Sequence, residues 1–196
     1  WVGDDCVSEA GGRDLERIRR RFGVLFQSAA LLQWLNVEQN VALPLLEKTS
    51  LTEAEAFARA RARLEQLGLG EALEKMPADL SGGMQKRVGL ARAIVMDPEI
   101  ILYDEPTSGL DPVTSRTIDG LINDLRGRLG ITSIVVTHDL HSALAIATRI
   151  GVIHQGRIVE VATPRAFVRS SNELVQSFLE AQYITRRGAW EAPEKS

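Results

Sequence analysis

Apolar residues along the chain change their spacing several times, and each change predicts an element. Phe22-Gly23-Val24-Leu25-Phe26 is a short apolar run that predicts a strand over 22–26 leading into Gln27. From 37 to about 96 the apolar positions recur at helical spacing. Within that stretch Thr52 and Glu55 make a capping box, Phe57, Ala60, Leu64 and Leu67 form one stripe, and Gly68 stops it. A further helix is predicted from Ser81 to about Met96, closed by Asp97-Pro98.

The period then shortens. Ile100-Ile101-Leu102-Tyr103 is an unbroken apolar run before Asp104, which predicts a strand buried on both faces. Asp111 as N-cap and Pro112 at the first helical position open a helix lined by Ile118, Leu121, Ile122, Leu125 and Leu129. A β-branched strand is expected over 131–136, then a helix from Asp139 with Leu140, Ala143, Leu144 and Ala147 on one side. Two strands joined by a tight turn at Gln155-Gly156 occupy 150–161, a helix runs from Pro164 to about Gln182, and a loose tail follows. Strand, helix, strand, helix at these lengths predicts a parallel α/β arrangement.

Composition narrows the class. At 196 residues the chain suits one domain, or one with an insertion, and 44% hydrophobic against 25% charged residues is the balance of a globular core. Aromatics are few, so the core rests on Leu, Ile, Val and Ala. A formal net charge of −3 gives no basis for a nucleic-acid partner. Cys6 is the only cysteine, so no internal disulfide forms, which fits a reducing compartment. No signal peptide and no apolar run of membrane-spanning length is present in the sequence, so membrane association is expected through a partner. Arg13, Arg17, Arg19, Arg20 and Arg21, interleaved with Asp14 and Glu16, read as a solvated helix face. His141 and His154 read as surface or helix-packing residues, Met76 and Met96 as core filling, and Trp34 as packing in preference to a partner contact. Trp1 and Trp190, at the termini, carry no signal.

Four short segments carry candidate chemistry. In Leu80-Ser81-Gly82-Gly83-Met84, two glycines open a helix that each should weaken by about 1 kcal/mol relative to Ala. They make sense where the backbone must approach something closely, and a Ser hydroxyl beside free helix N–H groups suits phosphate. An ordinary Ser N-cap with a flexible entry is the alternative. Asp104-Glu105 at the end of a parallel strand sits where open α/β sheets bind ligands. Asp104 would hold Mg²⁺ and Glu105 would accept a proton from an attacking water, although loop capping explains the pair as well. Ser108-Gly109-Leu110-Asp111-Pro112 is a turn into a helix that locally needs no function. His138, after the neighbouring strand, is either structural or a contact to a terminal phosphate.

In this order, with Gln27 upstream, the segments resemble the ABC ATPase family over about residues 10–182. Leu80 to Met84 resembles the signature motif, 100–105 Walker B, 108–111 the D-loop, His138 the switch histidine and Gln27 the Q-loop glutamine. The resemblance implies a RecA-like P-loop NTPase sheet with an inserted helical subdomain. Residues 1–27 would end the N-terminal core region and carry the Q-loop, 28–90 would be the helical subdomain with the signature motif, 91–168 the RecA-like core, and 169–196 a C-terminal helix and tail. It further implies ATP and Mg²⁺, with Asp104 and Gln27 near the metal and Glu105 and His138 at the chemistry. A head-to-tail homodimer would let Ser81 and Gly83 serve the ATP of the other copy, and Gly82, Met84, Asp111 and Gln27 are further implied nucleotide-binding positions. Transmembrane permease subunits are the implied partners, at the cytoplasmic face of the inner membrane.

Two departures qualify this. No G-x-x-x-x-G-K-[ST] occurs, so the phosphate-gripping loop and the first strand are missing, and truncation before Trp1 is the expected reason. The fragment alone is then expected to be inactive. Met84 stands where many members have Gln. With Lys86-Arg87, Leu25 to Leu31, Asn40 to Leu45 and Tyr103 to Pro106, it resembles the Mla-type branch, the ATPases of phospholipid transport also known as toluene-tolerance proteins. A small STAS-domain protein is a partner in that branch. A catalytically silent module, a small-solute importer ATPase and a non-transport ABC ATPase are the rival readings.

Overall fold

The computed structural model describes residues 1–184 in two compact units, Trp1–Val136 and the remainder from Thr137. The helix and sheet signals above fall mostly where expected. In the first unit, α1 (Gly12–Arg19) precedes β1 (Phe22–Leu25), and α2 (Val37–Lys48) and α3 (Glu53–Gln66) follow. Then come α4 (Gly82–Ile94), β2 (Ile100–Asp104), α5 (Pro112–Leu129) and β3 (Thr132–Val136). The three strands form one parallel sheet in the order β1-β2-β3. Leu25 registers with Tyr103, and Asp104 with Val136, so the loops after β1 and β2 leave the same end of the sheet.

Helix starts follow capping chemistry. Asn36 opens α2 and Thr52 opens α3, each in a reciprocal capping box, with Gln39 and Glu55 respectively. The first N–H groups of α2 find carbonyls in a distant segment, Val37 donating to Lys75 and Glu38 to Leu73, each at 3.0 Å. Arg61 of α3 pairs with the buried Glu38, and Arg59 and Arg63 both pair with Asp97, which ties α3 to the turn that ends α4. Arg21 joins Val2, Asp5 and Glu99, so it is a tether between segments and not merely one of a solvated row.

The central element is α4. Eight of its residues are buried, among them Gly83, Lys86, Val88, Gly89, Leu90 and Ile94. It lies directly on β1 because two glycines allow it. A Cβ on Gly23 would stand 2.3 Å from the carbonyl oxygen of Ala93, and one on Gly89 would stand 2.8 Å from Leu25 and 3.0 Å from the Ala29 side chain.

In the second unit, α6 (Leu140–Ile146), the hairpin β4 (Ile150–His154) and β5 (Arg157–Ala162), α7 (Pro164–Val168) and α8 (Glu173–Ala181) share one core. Leu144, Ile150, Phe167, Val175 and Leu179 form its centre. Gln155 and Gly156 both have positive φ, 48° and 74°, the geometry of a tight hairpin turn.

Several expectations are corrected. The single helix from Pro164 to Gln182 is two helices, because Ser170 turns its hydroxyl to Glu160 and Asn172 caps a new start. The buried stripe of α3 is Ala56, Ala60 and Leu64, with Phe57 only half-buried. Leu129 is exposed, as is Met76, which fills no core. Trp34 is 73% exposed, so packing does not account for it. Strand β2 is fully buried on one face only, through Ile101 and Tyr103, with Ile100 and Leu102 half-buried on the other, and in β3 Ile134 and Val136 are exposed. The tail with Trp190 lies outside the described residues.

The glycine contacts yield a contrast. Gly23→Ala should destabilise the protein by about 2–3 kcal/mol in denaturant unfolding, since its methyl meets backbone that cannot yield. Gly120→Ala, in α5 with open space around it, should instead stabilise by about 0.5–1 kcal/mol.

Candidate functional site

The end of the sheet from which both loops leave carries most of the chemistry. Phe26, Gln27, Ser28, Asp104 and Ser108 line an open cleft of about 500 Å³. Gln27 donates from Nε2 to Ser108 Oγ at 3.3 Å, joining the loop after β1 to the loop after β2. The Asp104 carboxylate is exposed at the end of β2 and Glu105, the next residue, is half-buried.

Both loops are strained. Glu105 sits at φ 46°, and Ala29 and Ala30 at 60° and 46°, left-handed values that cost a non-glycine residue of the order of 1–3 kcal/mol each. Such conformations persist only where neighbours fix them, and α4 supplies the neighbours. Lys86 Nζ donates to the Gln27 carbonyl at 2.6 Å and to the Glu105 carbonyl at 2.9 Å. Arg92 Nη2 donates to the Ala29 carbonyl at 2.7 Å. Beyond it Asn40, fully buried, accepts from Leu32 N–H at 2.8 Å and donates to the Leu32 and Leu35 carbonyls. Burial pushes the Lys86 ammonium down, and the Asp104 and Glu105 carboxylates oppose that by favouring its charged form.

The glycines of the Leu80 to Met84 segment have a reason within this chain. A Cβ on Gly83 would stand 2.5 Å from Thr114 Cγ2, and one on Gly82 would stand 3.2 Å from Leu110. They let the start of α4 pack on the start of α5. Ser81 is the N-cap of α4, accepting from Met84 N–H at 3.3 Å, and Ser81 and Gly82 remain exposed while Gly83 is buried. Asp111 caps α5, accepting from Val113 and Thr114 N–H at 3.0 Å each and from the Thr114 hydroxyl at 2.5 Å. These bonds, the Thr114 hydroxyl foremost, hold its carboxyl below the usual range.

The structure thus brings Gln27, Asp104 and Ser108 to one cleft, with Glu105 beside Asp104 in the chain. His138 belongs to the second unit, where its backbone carbonyl accepts from Gln182 Nε2 at 2.7 Å. Sequence reasoning placed Ser108 in the D-loop-like segment and Lys86 in the branch pattern without giving either a contact at the cleft, and did not single out Arg92. For Lys86 a signal was present: it lies three residues from Gly83 and three from Gly89, a cation in the middle of the helix face that packs inward.

Comparison with known proteins adds the following. The family model for ABC transporters matches residues 3–108. The probable ribonucleotide transport ATP-binding protein mkl of Mycobacterium leprae is 38% identical over 194 residues, covering 99% of this chain and 56% of the relative. The methionine import ATP-binding protein MetN of Mesorhizobium japonicum is 46% identical over 154 residues, 79% of this chain and 42% of MetN. The intermembrane phospholipid transport system ATP-binding protein MlaF of Haemophilus influenzae is 38% identical over 176 residues, 90% of this chain and 67% of MlaF. Among solved structures, a dimeric post-hydrolysis state of the ATP-binding cassette MJ0796 bound to ADP and Pi superposes with a TM-score of 0.74 at 32% identity, over 84% of this chain and 72% of that one. The chain spans about half the length of the first two relatives.

The Asp111 cap gives a pH prediction. Its folded-state acidity is strengthened, so its contribution is fully present above the ordinary carboxylate range and is lost as pH falls through its lowered value. Asp111→Ala should lower the urea midpoint at pH 7, and the difference from wild type should shrink as pH is taken down toward 3.

Proposed function

Because the chain belongs to the ABC transporter family of ATP-binding subunits, we propose that it forms the hydrolytic and coupling part of an ATP-driven motor for a membrane transporter. Its fold is that of an ATP-binding cassette, with the parallel sheet of P-loop NTPases. The observation that carries the proposal is the meeting of Gln27, Asp104 and Ser108 in one cleft with Glu105 alongside.

Each residue has a part that its chemistry suits. Glu105 is the base that takes a proton from the attacking water, its backbone held in place through the Lys86 bond to its carbonyl. Asp104 and Gln27 would hold Mg²⁺ between them. The donor set at the cleft, a carboxylate, a carboxamide and a hydroxyl, fits a hard cation that keeps some of its waters. Bound there, the cation would supply positive charge to offset the negative charge on phosphate oxygens. His138 is assigned a contact to the terminal phosphate. Ser81, Gly82, Gly83 and Met84, at the start of α4 where Ser81 and Gly82 are exposed, and Asp111 complete the nucleotide site of a second copy paired head to tail. Support for pairing comes from the dimeric neighbour bound to ADP and Pi. No helix among the described residues is long and apolar enough to cross a membrane. The transport-system relatives support coupling through permease subunits, which we place at the cytoplasmic face.

For cargo, we favour phospholipid. The Met84, Lys86 and Arg87 pattern resembles the Mla-type branch, and the MlaF relative is matched over 67% of its own length, more than mkl or MetN. A small STAS-domain partner follows from the same branch. Import of a small solute is the second reading, favoured by the higher identity to MetN.

In the full-length protein Glu105→Gln should retain ATP binding and lower kcat by about a hundredfold or more, as expected for loss of a general base. Undiminished turnover would remove Glu105 from that role. Co-purification of the full-length protein with a permease complex carrying bound phospholipid would support the cargo, whereas a complex selective for an amino acid or other small solute would contradict it.

A further inference from the structure

Lys86 is a buried cation with no part in the assignments above beyond its bond to Glu105. Its side chain is 5% exposed, and its ammonium reaches two carbonyls 78 residues apart in the chain, those of Gln27 and Glu105. These are the residues that open the two loops at the cleft, and Glu105 holds a left-handed backbone there. The Glu105 carbonyl also accepts from Ser108 N–H at 3.2 Å, and Ser108 in turn accepts from Gln27 Nε2 at 3.3 Å. The result is a closed circuit: Lys86 to Gln27, Gln27 to Ser108, Ser108 to Glu105, and Glu105 back to Lys86.

Resting on the ATPase reading of this cleft, we propose that Lys86 is a positioning residue that locks the loop after β1 to the loop after β2, so that Gln27 and Glu105 shift as one body. The physical argument is a matter of acceptors. An ammonium with so little exposure depends on hydrogen bonds inside the protein. Moving either loop alone would strip one acceptor from the buried charge, whereas moving both with α4 strips none. Lys86 therefore makes the cost of separate motion high and that of joint motion low. Arg92 has a different duty: it grips the Ala29 carbonyl and does not touch the second loop.

Two backbone amides report on the two loops. Ala29 N–H donates to the Phe26 carbonyl at 2.9 Å, and Ser108 N–H to the Glu105 carbonyl. Hydrogen exchange of the full-length protein, read without nucleotide, should show that Lys86→Met speeds exchange of both amides by about tenfold or more. Lys86→Gln, a neutral donor one bond shorter that keeps two N–H groups for the two carbonyls, should bring both to within about threefold of wild type. Arg92→Met should affect Ala29 and leave Ser108 protected. In hydrolysis, Lys86→Met should lower kcat about tenfold while the KM for ATP stays within about threefold, because the loss lies in arrangement and not in grip.

Exchange of one amide alone in Lys86→Met, or of neither, overturns the proposal. Should that variant not fold, the wild-type protein carries the test: under increasing denaturant both amides should open with one free energy and one denaturant slope, and two distinct openings would refute the lock. Since exchange needs no ATP, joint opening in a protein that does not hydrolyse ATP would keep the lock and sink the ATPase reading. Separate opening in an active enzyme would do the reverse.

Discussion

A buried ammonium group cannot be left without acceptors, and in this protein the acceptors of Lys86 are the backbones of the two loops that make the cleft. Gln27 and Glu105 lie far apart in sequence and belong to separate strand ends, yet one side chain bonds both. Parallel pairing of β1 with β2 places the loops at the same end of the sheet, but pairing alone does not fix their conformation. Left-handed backbone at Ala29, Ala30 and Glu105 needs neighbours that outweigh its strain. Lys86, Arg92 and Asn40 are those neighbours, and two of the three stand on α4.

The position of α4 is in turn a matter of missing side chains. Gly23 lets the helix sit on β1, Gly89 makes room for Leu25 and Ala29, and Gly83 makes room for Thr114 of α5. With Gly82, Gly83 and Gly89 inside it, the helix itself is intrinsically weak. It is held by burial on nearly every side and by ion pairs from α3 to the turn that follows it. Its exposed beginning, capped by Ser81, is the part left available to another molecule. One helix therefore serves the cleft of its own chain from its middle and presents Ser81 and Gly82 from its start.

Much of this was legible in the sequence. Caps at Thr52, Ser81 and Asp111, the apolar run before Asp104 and the turn at Gln155-Gly156 are local signals, and the structure follows them. Gln27, Asp104 and Glu105 were identified by resemblance of short motifs, whose order along the chain is itself informative. What escaped was non-local. No periodicity reports that the Lys86 ammonium meets carbonyls on two different loops, or that Ser108 receives the Gln27 amide. Packing was the wrong expectation for Trp34 and Met76 because a large apolar residue is normally packed, and exposure depends on neighbours that local spacing does not specify. The break at 169–172 was missed because Ser170 and Asn172, both exchanging helix bonds for side-chain ones, interrupt a pattern that is otherwise helical.

The account comes down to one claim: Glu105 of one chain works on a nucleotide site that Ser81 of a second chain completes. Complementation of two inactive variants tests it directly. Full-length Ser81→Arg and Glu105→Gln proteins are purified apart, shown to be inactive, mixed under conditions that allow exchange of subunits, and assayed for ATP hydrolysis. A mixed pair then contains one site with both lesions and one with neither, so activity absent from either variant alone should appear in the mixture. If the mixture stays as inactive as its components while subunit exchange is verified, the two residues do not meet across a pair of chains, and the account is wrong at its centre.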